Sequence, residues 1–338
     1  MTGRQWILSF LIVCTLATAA RAQDLTKTGT TAAAFAKIGV GARALGMGGA
    51  FAATADDLTA IYWNPSGLAS TYGSEAYFNH VNWFADVRVD FAGFSTRLSD
   101  FGVLGISVTV MGMDEMLVRT LEMPEGTGER FNAGGLILGL SYARNLTEQF
   151  SIGANFKYIR EYIWNSTATG VALDVGTLYR IPVLNELRLG ASIANFGTKM
   201  KMEGRDNVTV TEVGSGTPNL INSEIQLNEF DLPLLFRIGV AVDAVKNESF
   251  RLTAAVDAIH PNDNTEYLNT GLEFAWNEIV FLRGGIKSLL ERDTEQGFTL
   301  GAGLNYRIVG SVRLAFDYAY QDWGRLTNVH YLGFGVKF

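Results

Sequence analysis

The feature that most constrains the fold of this chain is a two-residue alternation of apolar and polar side chains, repeated in one segment after another. From Val312 the sequence reads V-R-L-A-F-D-Y-A-Y-Q. Phe316 and Tyr318 then share one face, and Asp317 points to the other. A strand alternates its faces every two residues, whereas an amphipathic helix needs apolar spacings of three and four. The pattern predicts β-strands with one apolar face.

About fourteen such segments, of roughly ten residues each, follow one another along the chain. They are centred near Ala76–Asn82, Val87–Leu98, Val103–Met113, Phe131–Arg144, Phe150–Tyr162, Thr169–Ile181, Glu186–Phe196, Leu234–Val245, Phe250–His260, Tyr267–Trp276, Ile279–Ser288, Phe298–Ile308, Val312–Gln321 and Val329–Phe338. An even number suits a bacterial membrane barrel with both ends in the periplasm. The predicted fold is all-β, a transmembrane antiparallel β-barrel over residues 73–338. A soluble β-sandwich also alternates, but it would rarely repeat an apolar, aromatic-tipped face so often.

The composition agrees with a chain solvated largely by lipid. Only 18% of the 338 residues are charged, whereas soluble chains usually carry about 25%. After Leu16 no apolar run approaches the roughly 20 residues of a membrane helix. A membrane-embedded chain must then close its backbone hydrogen bonds between strands. The net charge of −7, without a basic stripe, argues against nucleic acid as a partner.

The N-terminus has the layout of a secretory signal peptide. A positive charge at Arg4 and an apolar run over residues 6–16 precede the A-x-A site Ala20-Arg21-Ala22. Residues 1–22 are therefore predicted to be removed, and an exported barrel belongs in the bacterial outer membrane. Cys14 follows the bulky Val13, which disfavours lipidation. The mature chain then has no cysteine for a disulfide or a metal site.

The links between the predicted strands alternate in length. Short turns such as Ser99-Asp100 and Asn277-Glu278 alternate with longer links such as 114–130 and 197–231. Outer-membrane barrels have tight periplasmic turns and longer extracellular loops. We therefore expect residues 114–130 and 197–231 to face the cell exterior, where they could grip a protein partner.

The predicted inner faces carry ten basic and six acidic residues. They are Arg88, Asp90, Lys157, Asp174, Arg180, Arg188, Arg237, Asp243, Arg251, Asp257, Glu273, Arg283, Lys287, Arg307, Arg313 and Asp317. A charge facing lipid at mid-depth costs about 2–4 kcal/mol, which places charges in the lumen. A wall network of paired charges is favoured over a selective ion pathway. Tryptophans near strand ends, Trp83, Trp164, Trp276 and Trp323, are predicted to lie at the membrane interfaces.

Residues 23–72 lack the alternation and are rich in glycine. They contain Gly-Ala-Arg-Ala-Leu-Gly-Met-Gly-Gly-Ala at 41–50, the pair Asp56-Asp57, and Tyr-Trp-Asn-Pro-Ser-Gly-Leu at 62–68. This segment resembles the N-terminal signature of the PorV/PorQ family of outer-membrane proteins, which is similar to the fatty-acid porin (FadL-like) superfamily. In that superfamily an Asn-Pro-Ala block ends a hatch inside the barrel, and here Ser66 replaces the alanine. The resemblance implies that residues 23–72 form a plug.

The residue types of this motif suit a plug. The motif residues are Arg43, Gly46, Gly48, Gly49, Asp56, Asp57, Asn64 and Pro65. Glycine allows positive φ and close backbone approach, Asn-Pro favours a turn, and the charged side chains can pair with the barrel wall. The alternative is a solvated periplasmic arm. A dinucleotide site is excluded because no strand–glycine loop–helix unit surrounds the glycines.

The C-terminal strand ends in an aromatic residue on its apolar face. Leu332, Phe334, Val336 and Phe338 form one lipid-facing row. This resembles the terminal signal that the barrel assembly machinery reads, and its predicted residues are Tyr331, Gly333, Val336 and Phe338. The alternative is an ordinary final strand.

Enzyme chemistry is poorly supported. The three histidines, His80, His260 and His330, are too scattered to predict a metal site, and no cofactor motif is present. A hydrolase site at the outer rim would need His260 to meet Asp257 and Asp263. A histidine in a Pro-Asn-Asp loop is more often a turn residue.

Two non-enzymatic functions follow from the resemblance. The PorV/PorQ family implies an accessory or shuttle barrel in protein secretion of the type IX kind, with secreted proteins as partners. The wider FadL-like superfamily implies passive transport of hydrophobic molecules across the outer membrane. In both cases the expected surroundings are outer-membrane lipid and, during insertion, the barrel assembly machinery.

Overall fold

The computed structural model of the protein describes residues 27–213, 219–291, 294–308 and 310–338. The predicted signal peptide, residues 1–22, lies outside the described residues.

Fourteen antiparallel strands close into a barrel, which confirms the predicted fold. We number them β1 to β14: Ser74–Asn82, Arg88–Arg97, Val103–Gly112, Ala133–Asn145, Phe150–Ile163, Ser166–Ile181, Leu187–Gly197, Leu235–Lys246, Phe250–Pro261, Tyr267–Trp276, Val280–Leu289, Phe298–Arg307, Arg313–Asp322 and Asn328–Lys337. Each strand pairs with its neighbours in the chain. The seam between β1 and β14 closes the barrel, with Ala76 opposite Val336 and Asn82 opposite His330.

The outer surface of the barrel is a belt of exposed apolar side chains. Ile106 on β3, Phe156 on β5, Leu272 on β10 and Leu332 on β14 are each more than half exposed. Their strand neighbours on the inner face are buried and often polar, such as Asn155 and Glu273. Alternation along each strand thus separates a lipid-facing surface from a packed interior.

The two ends of the barrel differ, and we name them by what they carry. The termini rim holds Ser74 and Phe338, whose backbones pair with each other, together with the short turns. The loop rim is the opposite end and carries the long links. One loop-rim link departs from the alternation, because β5 and β6 are joined only by Trp164-Asn165. There β6 continues to Ser166 and pairs with Glu203–Gly204 of the long link after β7.

Residues 34–70 lie inside the barrel and form its core. They contain a 3₁₀ turn at Ala34–Lys37, helices α1 (Ala42–Gly46) and α2 (Ala60–Trp63), and a 3₁₀ helix at Pro65–Ser70. Their apolar side chains, such as that of Phe51, are fully buried against the wall. Among the described residues, no helix is both long enough and apolar enough to cross a bilayer.

The longest loop-rim link, residues 198–234, carries a separate β-hairpin. Val208–Val213 pairs antiparallel with Asn219–Glu224, and neither strand pairs with the barrel. Its apolar side chains are exposed, among them Val210 at 61% and Leu220 at 69%. A shorter pairing, of Met116–Leu117 with Arg130–Phe131, narrows the base of the link after β3.

The predicted inward orientation of Arg88 and Asp90 is wrong. Both side chains lie on the outer face near the loop rim, where Asp90 pairs with His80 at 2.7 Å and Arg88 pairs with Asp114 at 2.6 Å. Near the loop rim the inner face of β2 is instead apolar, with Val89 and Phe91 each 2% exposed. The plug fills this part of the lumen with apolar side chains, so the assumption that the lumen is polar fails here.

Candidate functional site

The candidate site is the contact between the plug and the wall, together with the cavities on either side of it. Gly46, Gly48 and Gly49 lie against strands β10 to β12. Gly48 and Gly49 have φ of +67° and +76°, and Gly46 does not need a positive φ. A methyl group on Gly46 would lie 3.1 Å from the Cα of Gly301, and one on Gly48 would lie 2.6 Å from the carbonyl oxygen of Thr270. Close backbone approach is therefore the role of Gly46 and Gly48, whereas Gly49 lies against the side chains of Asn269 and Trp63.

The wall offers glycines of its own where the plug touches it. Gly271 and Gly285 stand opposite each other on β10 and β11. A methyl group on Gly271 would lie 2.3 Å from the carbonyl oxygen of Met47, and one on Gly285 would lie 2.4 Å from the amide nitrogen of Gly48. The plug backbone thus packs directly on the backbone of the wall.

A second glycine pair receives the next stretch of the plug. Gly190 on β7 stands opposite Gly239 on β8, and a methyl group on Gly190 would lie 2.1 Å from the carbonyl oxygen of Ala52. The neighbouring carboxylate of Asp257 accepts the backbone amides of Phe51 and Ala52 at 2.8 and 2.7 Å. Asp257 is fully buried. These two hydrogen bonds orient the plug backbone.

A third glycine pair holds the Asn-Pro turn. Asn64 donates through its side-chain amide to the carbonyl oxygens of Ala52 and Thr177 at 2.7 and 3.0 Å. Its Oδ1 accepts the Ser66 hydroxyl at 2.7 Å. Gly153 and Gly176, opposite each other on β5 and β6, leave the space that Pro65 and Asn64 occupy. Through Ala52 the turn therefore connects two parts of the plug, and through Thr177 it connects the plug to the wall.

Arg43 is the centre of a charge cluster that is largely buried, with Glu273 1% exposed and Asp56 43% exposed. Its guanidinium bonds Glu273 of the wall at 2.9 and 3.2 Å, and it bonds Asp56 and Asp57 of the plug at 2.5 and 3.1 Å. Burial by itself raises the pKa of the Asp56 carboxyl. The charge and hydrogen bond of Arg43 outweigh that effect, so this pKa lies below its usual range. The arrangement links the glycine-rich segment, the acidic pair and the barrel through one side chain.

The wall completes this cluster with two further arginines. Arg283 bonds Glu273 at 2.8 Å and Asp317 at 2.6 Å, and Arg251 bonds Glu273 at 3.1 Å. Elsewhere Lys157 pairs with Asp174 at 2.6 Å. In these pairs each charge has a protein partner, as a wall network of paired charges requires.

The beginning of the plug is tied to the loop rim. Lys37 pairs with Asp263, and the hydroxyl of Thr31 donates to the same carboxylate at 3.0 Å. The amide of Ala32 donates to the carbonyl oxygen of Asp231, at the end of the longest link, at 3.0 Å. The plug therefore runs from the loop rim, where residues 27–30 are exposed, to the termini rim, where β1 begins.

Two separate cavities flank the plug. The cavity at the termini rim has a volume of about 810 Å³ and is lined by charged side chains such as Arg43, Glu75, Arg180 and Arg313. The cavity at the loop rim, which we call the loop-rim vestibule, measures about 470 Å³ and is lined by both aromatic and charged side chains. The two cavities share no lining residue. The plug lies between them.

The C-terminal residues of the predicted assembly signal lie on both faces of β14. Val336 and Phe338 point outward, and the ring of Phe338 lies 6.4 Å from that of Phe94. Tyr331 and Gly333 point inward, where the Tyr331 hydroxyl donates to Gln321 at 2.9 Å. A methyl group on Gly333 would lie 2.1 Å from the hydroxyl oxygen of Tyr77. This placement makes the four residues part of the closing seam.

The residues of the alternative hydrolase site do not come together. His260 faces outward and pairs with Glu266 at 2.9 Å. Asp257 faces inward and holds the plug, and Asp263 pairs with Lys37. The three side chains therefore have separate structural roles.

Some contributors to the site were missed from the sequence. The wall glycines were not predicted to contact the plug, and their recurrence on neighbouring strands was the signal that could have marked these contacts. Trp83 and Trp323 were assigned to the membrane interface. They instead pack on each other over the loop-rim vestibule, with ring centroids 5.2 Å apart.

Comparison with known proteins gives one family and one fold. Residues 20–261 match the family described as type IX secretion system protein PorV, whereas no curated protein gives a match. Among solved structures, the toluene transporter TodX of Pseudomonas putida is 14% identical, with a TM-score of 0.56 over 88% of this chain and 96% of its own. The toluene transporter TbuX of Ralstonia pickettii is 12% identical, with a TM-score of 0.54 over 88% of this chain and 97% of its own.

A FadL homologue of Pseudomonas aeruginosa is 13% identical, with a TM-score of 0.50 over 86% of this chain and 96% of its own. At such identities these likenesses concern the fold, and they agree with a transmembrane barrel of the FadL kind. The family match spans well over half of the sequence. The chain belongs to the PorV family of type IX secretion system proteins.

Proposed function

We propose that this protein is a non-enzymatic outer-membrane barrel that assists protein secretion by a type IX system, and that its working surface is the loop rim. The observation that carries the proposal is the exposed hairpin of Val208–Val213 and Asn219–Glu224, in a chain of the PorV family. Residues 1–22 act as the signal peptide, residues 23–72 as the plug and residues 73–338 as the barrel.

The hairpin has the properties of a surface that pairs with an extended polypeptide. A two-stranded hairpin alone in water is marginally stable, and its outer edges offer unpaired backbone groups. Within the described residues, neither strand of this hairpin pairs with a third strand. Addition of a partner strand would satisfy one edge through main-chain hydrogen bonds, and the apolar side chains of Val210 and Leu220 would contribute contacts.

The interior of the barrel supports the same proposal. The plug contacts the wall through backbone-to-backbone packing at three glycine pairs and through the buried cluster around Arg43. The cavity at the termini rim is lined mainly by charged side chains. A passage for apolar molecules would require the plug to move and apolar solutes to cross this charged cavity.

Site-specific photo-crosslinking tests the proposal. A photo-reactive residue at Thr211, on the exposed hairpin, should form adducts with secreted proteins in growing cells, identified by mass spectrometry. The same residue at Glu148, exposed in a termini-rim turn, serves as the control and should give none. Adducts at Glu148 alone, or none at Thr211, would contradict the proposal.

The second candidate is transport of hydrophobic molecules through the barrel. It is supported by the fold shared with TodX and TbuX, which are toluene transporters. In this case the plug itself would be the gate, and the loop-rim hairpin would be dispensable.

A further inference from the structure

The cavity at the termini rim carries more positive than negative charge, and the proposed function, which acts at the loop rim, does not use it. Nine basic and seven acidic side chains line this cavity. Each of the seven carboxylates lies within ion-pair distance of a cation of the wall or the plug, as Glu75 does of Lys337 and Asp317 of Arg283. The acids are therefore already neutralised, and the excess charge is basic.

Arg313 is a lining cation without a carboxylate partner. Its side chain is exposed, and among the residues that the structure describes no carboxylate lies within ion-pair distance of it. The same holds for the exposed Arg307, which stands directly opposite Arg313 on β12. On its other side Arg313 stands opposite Lys337 of β14. These three residues form one cross-strand row on the inner face, which we call the basic row.

The basic row places like charges side by side. Neighbouring strands lie about 4.8 Å apart, and like charges directly opposite each other destabilise a sheet. Within the row only Lys337 has a carboxylate beside it, that of Glu75 at 3.3 Å. An anion held between Arg307 and Arg313 would remove their repulsion and accept hydrogen bonds from both guanidinium groups.

The wall beside the two arginines offers space and a further donor. Asn305 and Ala315 stand opposite each other on β12 and β13, and both line the cavity. Gly335 of β14 follows, opposite Ala315. The small residues leave room next to the guanidinium groups, and the side-chain amide of Asn305 can donate to a ligand held there.

We infer that the basic row binds a phosphate monoester. Such a group carries a charge of about −1.5 to −2 near neutral pH and presents three acceptor oxygens on one centre, which suits two guanidinium groups that face one site. An acidic polypeptide segment fits less well, because alternate side chains of an extended chain lie about 6.6 Å apart and the cations of the row follow the closer spacing of the strands. A neutral ligand would leave the repulsion between the arginines in place.

Calorimetric titration of the purified, folded barrel with glycerol 3-phosphate tests this inference. The barrel is held in a neutral detergent and a phosphate-free buffer. We expect saturable binding that weakens as the salt concentration rises. Arg313→Gln should weaken it by at least about tenfold, because hydrogen bonds to a charged group are among the stronger ones. Arg313→Lys keeps the charge but loses the planar fork, and it should restore only part of the affinity.

Arg144→Gln is the matched control. Arg144 is also exposed near the termini rim, but it lies on the outer face of β4, next to the inward-facing and fully buried Ala143. The control removes the same charge and should bind glycerol 3-phosphate as the unchanged protein does. Heat-modifiability on gels verifies that every variant is folded.

A lipid head group and a soluble ester present the same phosphate, so a second measurement separates these sources. The barrel is exchanged into nanodiscs that contain phosphatidic acid, which carries glycerol 3-phosphate on two acyl chains, or phosphatidylcholine, and retained lipid is identified by native mass spectrometry. Retention of phosphatidic acid that depends on Arg313 assigns the phosphate to a lipid, and binding of glycerol 3-phosphate alone assigns it to a soluble ester. Binding in neither measurement, or a loss no greater in Arg313→Gln than in Arg144→Gln, would overturn the inference.

Discussion

A single substitution at Gly48 should disturb the packing of the plug on the barrel wall. Its φ is +67°, and an added methyl group would meet the carbonyl oxygen of Thr270 at 2.6 Å. We expect Gly48→Val to destabilise the folded barrel by at least about 1–3 kcal/mol, the cost of strained backbone alone. The midpoint of heat-modifiability on gels measures this.

Gly112→Val is the matched control for that substitution. Gly112 lies at the end of β3, where an added methyl group would meet nothing within 4 Å. Its midpoint should stay close to that of the unchanged protein. Equal midpoints for the two variants would show that the plug does not seat as described.

Glu273 is the carboxylate that forms ion pairs with three arginines of the charge cluster. It is 1% exposed and bonds Arg43, Arg251 and Arg283. Glu273→Gln leaves these cations with one carboxylate fewer, and removal of one partner from a buried ion pair costs about 3–5 kcal/mol. Urea unfolding in detergent should show a loss of that order.

Glu278→Gln provides the comparison for this variant. Glu278 also bonds Arg251, at 2.8 Å, but its side chain is 60% exposed. Exposed pairs contribute about 0–1 kcal/mol, so this variant should differ little from the unchanged protein. If Glu278→Gln lowered the free energy of unfolding as much as Glu273→Gln does, burial of Glu273 would not explain the larger contribution expected of it.

The sequence predicts the local backbone properties of single residues but not their contact partners, for a physical reason. Positive φ at Gly48 and the turn at Asn64-Pro65 are local properties of the chain, and the structure has both. The partners of these residues, such as Gly271 or Asp257, depend on which wall strand faces the plug. That information lies in the register between distant strands, which no local pattern contains.

At the scale of elements, the sidedness of the links is a prediction that labelling can test. The mature chain has no cysteine if residues 1–22 are removed, so single cysteines can be introduced. Cysteines at Thr28 and Thr211, both exposed at the loop rim, should react with a membrane-impermeant thiol reagent on intact cells. A cysteine at Glu148 in the termini-rim turn should react only after the outer membrane is ruptured. The reverse order would place the long links in the periplasm.

The strands themselves could be predicted because apolar and polar side chains alternate along each one, according to the face on which they lie. Alternation located all fourteen, with ends within a few residues of those observed, such as Ala133–Asn145 for the predicted Phe131–Arg144. It failed for the orientation of β2, where the plug makes the inner face apolar at Val89 and Phe91. The hairpin at 208–224 was also missed, because short exposed strands lack a buried face to mark them.

At the scale of the whole molecule, the fold and the sequence family are associated with two different functions. A FadL-like barrel is shared with toluene transporters, while the sequence family is that of a secretion protein. The plug distinguishes the two functions physically. In a transporter it must move, whereas in a secretion accessory it only needs to keep the barrel closed while the loop rim engages cargo.

One comparison in a single strain tests this central claim most directly. Two variants are scored for surface delivery of secreted proteins and for uptake of a labelled fatty acid: one has residues 208–224 replaced by a short Gly-Ser link, and the other is Gly48→Val. We predict that loss of the hairpin abolishes delivery while the barrel still folds, and that neither variant changes uptake. Loss of uptake in Gly48→Val, with delivery normal in both variants, would contradict the account and identify the protein as a channel.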